Sequence, residues 1–106
     1  MKITIEKTEN RLNIALNVKK FDVSNMQDIK KEIQETLENS SSDVYINLSD
    51  VSFVDSSGLS VLIAVFKQLN GSEYTLTLCG LQEQPMELLE ITQLHKVFTI
   101  SDTCTN

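Results

Sequence analysis

The chain has 106 residues, a length that suits one domain spanning residues 1–106 around a single core. Hydrophobic residues make up 41% and charged residues 23%, with three Gly and one Pro, a globular balance that excludes a disordered segment. A formal net charge of -6, with nine scattered Lys and Arg, excludes a nucleic-acid face, and no run approaches the roughly 20 apolar residues of a membrane span.

The elements follow from periodicity. Ile3 and Ile5, then Leu12, Ile14, Leu16 and Val18, alternate as two half-buried strands joined by a turn around Glu9-Asn10, and they pair as an opening hairpin. Ser24 and Gln27 stand at capping-box spacing ahead of Met26, Ile29, Ile33 and Leu37, an amphipathic helix that runs to Asn39. After the loop Ser40-Ser41-Ser42, a third strand covers Asp43 to Leu48. From Leu59 to Leu69 nearly every residue is apolar, so this is expected to be the most buried helix, ended by Asn70-Gly71.

Tyr74 to Cys79 alternates as a fourth strand. Pro85 suits the first turn of a third helix carrying Met86, Leu88, Leu89 and Ile91, and Val97 to Ile100 forms a short last strand. The expected fold class is α/β: a mixed β-sheet of four to five strands with three helices packed mainly on one face, its parallel pairs made by helical crossovers. The N-terminus alternates instead of forming a signal core, which suggests an unsecreted, cytoplasmic protein. Cys79 ends an apolar strand pattern and Cys104 lies in a polar tail, so no disulfide is expected and a reducing compartment suits both.

Short polar residues cluster in Val51-Ser52-Phe53-Val54-Asp55-Ser56-Ser57-Gly58-Leu59, where the buried helix begins. Asp55, Ser56 or Ser57 can each accept a bond from the free N–H groups of the first turn, and the positive end of the helix dipole favours negative charge there. Helix capping alone would account for such a cluster.

That run, preceded by the strand Val44-Tyr45-Ile46-Asn47-Leu48 and followed by Val61-Leu62, resembles the phosphorylation-site segment of STAS-domain anti-sigma factor antagonists. The hairpin, the helix after Ser24 and the order of elements also match, so the resemblance extends over almost the whole chain and implies a single STAS-like domain. It implies that Ser56, directly after the Asp, is the phosphorylated hydroxyl, with Ser57 as the alternative. Phe21-Asp22 resembles the family's Leu-Asp before the first helix, which would set Asp22 near the phosphosite. The partner surface then comprises Asp22, Asp55, Ser56, Ser57, Gly58 and Leu59. Leu59 and Leu62, with Ser60 beside them, would supply contact area around the switch; burial in the core is the stronger reading for Leu62 and an open one for Leu59. Where the family often has Gly-Glu, this chain has Lys19-Lys20, and it ends at Asn106, where many relatives continue into a final helix.

The function implied is that of an anti-sigma factor antagonist. The unphosphorylated form binds an anti-sigma factor serine kinase and frees a sigma factor, phosphorylation ends the association, and a PPM-type serine phosphatase reverses it. The alternative, from other STAS-like proteins, is an accessory subunit that binds an ABC transporter ATPase or a sensory complex without any phosphoswitch.

Enzyme constellations are not apparent. The single His95 lies far from Ser56 in sequence, no Gly-x-Ser-x-Gly elbow occurs, and His95 with Cys79 and Cys104 has no metal-ligand spacing. Gly58, Gly71 and Gly80 are isolated, so no phosphate loop or dinucleotide fingerprint exists, and no cofactor is expected. Glu83, Glu87 and Glu90 form a solvated helix face.

Overall fold

A computed structural model of the chain describes residues 2–104. Strands β1 (Ile3–Lys7) and β2 (Arg11–Leu16) form the antiparallel hairpin, with Ile3 opposite Leu16 and Lys7 opposite Leu12. The chain then passes through a two-residue strand β3 (Lys20–Phe21), helix α1 (Met26–Glu38), strand β4 (Asp43–Asn47) and a second two-residue strand β5 (Phe53–Val54). Helix α2 (Ser56–Leu69), strand β6 (Leu76–Cys79), helix α3 (Glu83–Ile91), a 3-10 turn at Leu94–Lys96 and strand β7 (Thr99–Ser101) complete it.

The main sheet has the order β1-β2-β4-β6-β7, and after the hairpin every neighbour is parallel. Each parallel step contains a helix, because a parallel partner can be reached only by a crossover. Alternation decides which face is covered: Leu12, Ile14 and Leu16 on β2 and Val44 and Ile46 on β4 are buried, while their intervening neighbours are half-buried. Over that face lie Ile29, Ile33 and Leu37 of α1, Val61, Leu62 and Val65 of α2, and Leu89 of α3, all in one hydrophobic cluster. Phe66 of α2 meets Phe98 edge to face, ring centroids 5.5 Å apart, which ties that helix to the approach to β7.

Several expectations change at element ends. The Ser24–Gln27 capping box does not form: the Ser24 hydroxyl and N–H are both drawn to the Asp22 carboxylate, at 2.5 and 3.0 Å, and α1 begins after Asn25 with no side-chain cap. In the box the Ser24 N–H would go to the neutral Gln27 amide oxygen, and the Asp22 carboxylate is the stronger acceptor for it. The fourth strand starts only at Leu76, because Ser72 organises a turn by donating to Leu69 O and accepting from Tyr74 N. Val97 and Phe98 belong to the end of the 3-10 turn, both N–H groups donating to Leu94 O, so β7 begins at Thr99.

The cysteines require a correction too. Cys79 and Cys104 form a disulfide with Cα atoms 5.2 Å apart, within the range such a bond needs. In register, Cys79 pairs with Ser101 and Asn47, on the sheet face away from the helices, and the last described residues turn back to it. Twenty-five residues of separation hid that proximity from the sequence. The end of the chain at Asn106, and with it the matter of a final helix, lies outside the described residues.

Ile46 is fully buried on the central strand. Ile46→Ala should lower the unfolding free energy by about 3 kcal/mol through lost contacts and an unfilled cavity, read as a fall in the urea midpoint with an unchanged slope.

Candidate functional site

The polar cluster sits where β5 enters α2, and β3 is what positions it. Phe21 pairs with Val54 and Lys20 with Phe53, so these two short strands clamp the segment ahead of Asp55 against the segment ahead of α1. The Asp55 N–H donates to Phe21 O at 3.2 Å. Gln84 of α3 secures the other side, its amide oxygen accepting from Val54 N at 2.8 Å and its amide nitrogen donating to Val54 O at 2.9 Å.

Among the three capping candidates, Asp55 takes the cap. Its Oδ1 accepts from Gly58 N at 2.9 Å, its Oδ2 accepts from Val23 N at 3.3 Å, and its carbonyl accepts the Leu59 N–H that closes the first turn. One carboxylate therefore caps α2 and ties it to the β3–α1 turn. Ser56, the first residue of α2, is left exposed, and among the described residues its hydroxyl has no hydrogen-bond partner. Ser57 is half-buried, and its carbonyl accepts from the exposed Ser60 hydroxyl at 2.6 Å.

Asp22 lies one residue before Val23, the residue whose N–H reaches Asp55. Its carboxyl is held below its ordinary value of 3.8, first by the Ser24 hydroxyl, then by the Ser24 N–H, with Lys20 adding a smaller attraction. Asn25 completes the turn by accepting from Asp22 N at 3.2 Å and donating to Lys20 O at 2.8 Å.

Gly58 is buried against β3. A Cβ there would stand 2.3 Å from Phe21 O, so only glycine lets the helix come this close. Leu62 is in the core as expected, and Leu59 is corrected as a surface contact: they are 2% and 7% exposed, because both lie on the core-facing stripe of α2. The apolar residues that do face solvent around the cluster are Val23, 73% exposed, and Phe53, 40% exposed. Neither stood out in the sequence as a surface residue; the signal that could have found Val23 is an apolar residue inside a polar Asp-x-Ser-Asn turn.

The chain matches the STAS domain model over residues 2–106. It belongs to the STAS domain family. Among relatives of this STAS domain, an anti-sigma-B factor antagonist of Staphylococcus aureus is 27% identical over 82 residues, covering 77% of this chain and 76% of the relative. Among solved structures, an anti-sigma factor antagonist from Thermotoga maritima shares the fold with a TM-score of 0.85 at 23% identity, covering 96% of this chain and 87% of that one. The Bacillus cell fate determinant SpoIIAA in its phosphorylated form shares it with a TM-score of 0.71 at 17% identity, over 94% of this chain and 91% of that one.

Two outcomes test this geometry. Gly58→Ala gains up to about 1 kcal/mol of helix propensity, but the clash with a backbone carbonyl outweighs it, so a net loss of about 2 kcal/mol is expected in urea unfolding. Asp22, with its folded pKa depressed, contributes stability that is present above pH 3.8 and is lost as pH falls through the folded value. Carboxyl titration by NMR should show the Asp22 pKa rising towards its ordinary value in Ser24→Ala.

Proposed function

We propose that this STAS domain is an anti-sigma factor antagonist that works as a phosphorylation switch at Ser56. The unphosphorylated form binds an anti-sigma factor serine kinase and so frees a sigma factor, ATP-dependent phosphorylation of Ser56 ends the association, and a PPM-type serine phosphatase restores it. The chain is then a binding module of the cytoplasm, and the chemistry belongs to its partners. One observation carries the proposal: the Ser56 hydroxyl faces solvent at the head of α2 with Asp55 already occupying the cap. The name carried by the Staphylococcus aureus relative supports the same reading.

A phosphate at Ser56 would add about -1.5 to -2 charge at the positive end of a 14-residue helix, a position that favours anions. The fold therefore tolerates it. A partner surface pressed over Ser56 does not, because the phosphate must be stripped of water beside Asp55 and Asp22. Val23 and Phe53 would supply the apolar contact around the hydroxyl, with Ser57 and Ser60 at its border; Gly58 and Leu59 would serve from beneath, fixing how far α2 stands from β3. A difference of a few kcal/mol between the two forms is enough to shift the partner almost completely.

Incubation with ATP and an anti-sigma serine kinase from the same genome, followed by peptide mass mapping, should place one phosphate on Ser56 and none in Ser56→Ala. Ser56→Asp should weaken kinase binding by about tenfold or more, 1.4 kcal/mol, with a melting temperature within about 2 °C of the parent protein. If no residue from Val51 to Leu59 is modified, the accessory role beside a transporter ATPase or a sensory complex becomes the better account.

A further inference from the structure

The phosphoswitch leaves the opposite face of the sheet unexplained. There, a concavity of about 360 Å³ lies over β1 and β2, bordered by Arg11, Asn13, Asn47 and Cys104. Cys104 closes one side of it. Cys104 is bonded to Cys79, its carbonyl accepts from the Arg11 guanidinium at 2.8 Å, and that guanidinium stacks on Tyr45 3.7 Å from the ring centroid.

The same bond reaches the segment that leads to Ser56. Cys79 O accepts from Leu48 N at 2.9 Å, and the next residue, Gly80, is packed so closely that a Cβ would stand 3.1 Å from Ser49 Cβ and 3.3 Å from Cys104 Sγ. Gln82 donates to Ser49 O at 2.7 Å, and Val51 N donates to Leu48 O at 3.0 Å. Cys104 therefore lies beside Gly80, and Gly80 beside Ser49, which stands seven residues ahead of Ser56 in the chain.

We propose that Cys79–Cys104 is a reversible thiol–disulfide site, a latch that in the oxidised state holds the tail 102–104 on the open sheet face and firms the segment Ser49–Val51. Cys79 is fully buried, whereas Cys104 is half-buried in a coil, so the Cys104 sulfur is the one a reductant can approach. A thiolate of a dithiol reductant attacks Cys104 Sγ, the Cys104–Cys79 bond breaks, and Cys79 leaves as a thiolate that takes up a proton. The reductant's second thiol then attacks the mixed disulfide, Cys104 leaves as a thiol, and the reductant ends as its own disulfide. Two electrons and two protons pass from the dithiol to the protein. In a cytoplasmic protein such a bond is as a rule transient or redox-sensing, not a permanent staple.

Opening the bond would remove the covalent tie that keeps Cys104 Sγ beside Gly80 and would leave the Arg11 bond to the Cys104 carbonyl, 2.8 Å, in place. That the looser segment would alter presentation of Ser56 rests on the switch reading above; the latch itself is measured without it. The full chain, equilibrated with glutathione disulfide, is compared with the same protein treated with dithiothreitol and with Cys104→Ser. Native-state alkylation by iodoacetamide should label nothing in the oxidised form and should label Cys104 after reduction. At exchange times short enough that the amides of Ile46 and Val65 stay protected, amides of residues 102–104 and of Ser49–Val51 should exchange about tenfold faster or more in the reduced protein. Cys104→Ser should match it without reductant. Free thiols that persist in glutathione disulfide, reduction that requires denaturant, or unchanged exchange at Ser49–Val51 would each overturn the latch.

Discussion

The candidate site depends on the Asp55 carboxylate, which is asked to satisfy two backbone N–H groups from separate parts of the chain. One oxygen caps α2 through Gly58, and the other reaches Val23 in the turn before α1. Because the cap is taken by Asp55, the next residue has no structural duty for its hydroxyl. In the switch proposed above, a phosphate on Ser56 would stand at the positive end of the helix and leave the Asp55 cap in place.

That division of labour separates stability from recognition. The groups that hold the junction together are short-range: the β3–β5 pairing, the two bonds between Gln84 and Val54, and the glycine that lets α2 approach Phe21 O. The groups that face outward are a hydroxyl, a carboxylate pre-ordered by Ser24, and two apolar side chains, Val23 and Phe53. A surface of that composition would offer a macromolecular partner both area and a charge-sensitive centre, which is what the proposed switch at Ser56 requires.

The position of the site follows from the sheet. In a parallel sheet the connections leave from the carboxyl ends of the strands, and here the segments after β4 and β6 meet at that end, where Leu48 N bonds Cys79 O and Gln82 holds Ser49. The disulfide lies at the same end, on the far face. Ser56 and the disulfide, the two places where chemical modification is proposed above, thus lie toward one edge of the scaffold, with Cys79 the one buried strand residue that takes part.

The sequence by itself determined whatever repeats over several residues. Alternation in β1, β2 and β4 and the helical stripes of α1, α2 and α3 were legible because a buried face must recur at the period of its element. The local chemistry of Asp55-Ser56-Ser57-Gly58 was legible for a related reason, since capping residues act within one turn of themselves. Tertiary structure alone decided the rest. Strands of two residues, Lys20–Phe21 and Phe53–Val54, are too short to carry a period, yet they bring Val23 to Asp55. Ser24 sat at capping spacing, but its N–H found a stronger acceptor in the carboxylate two residues away. Whether Leu59 met solvent or core, whether Val23 met the reverse, and whether Cys79 met Cys104 were all set by register and by the path of the chain in space. Such contacts join residues far apart in number, and no local spacing can encode them.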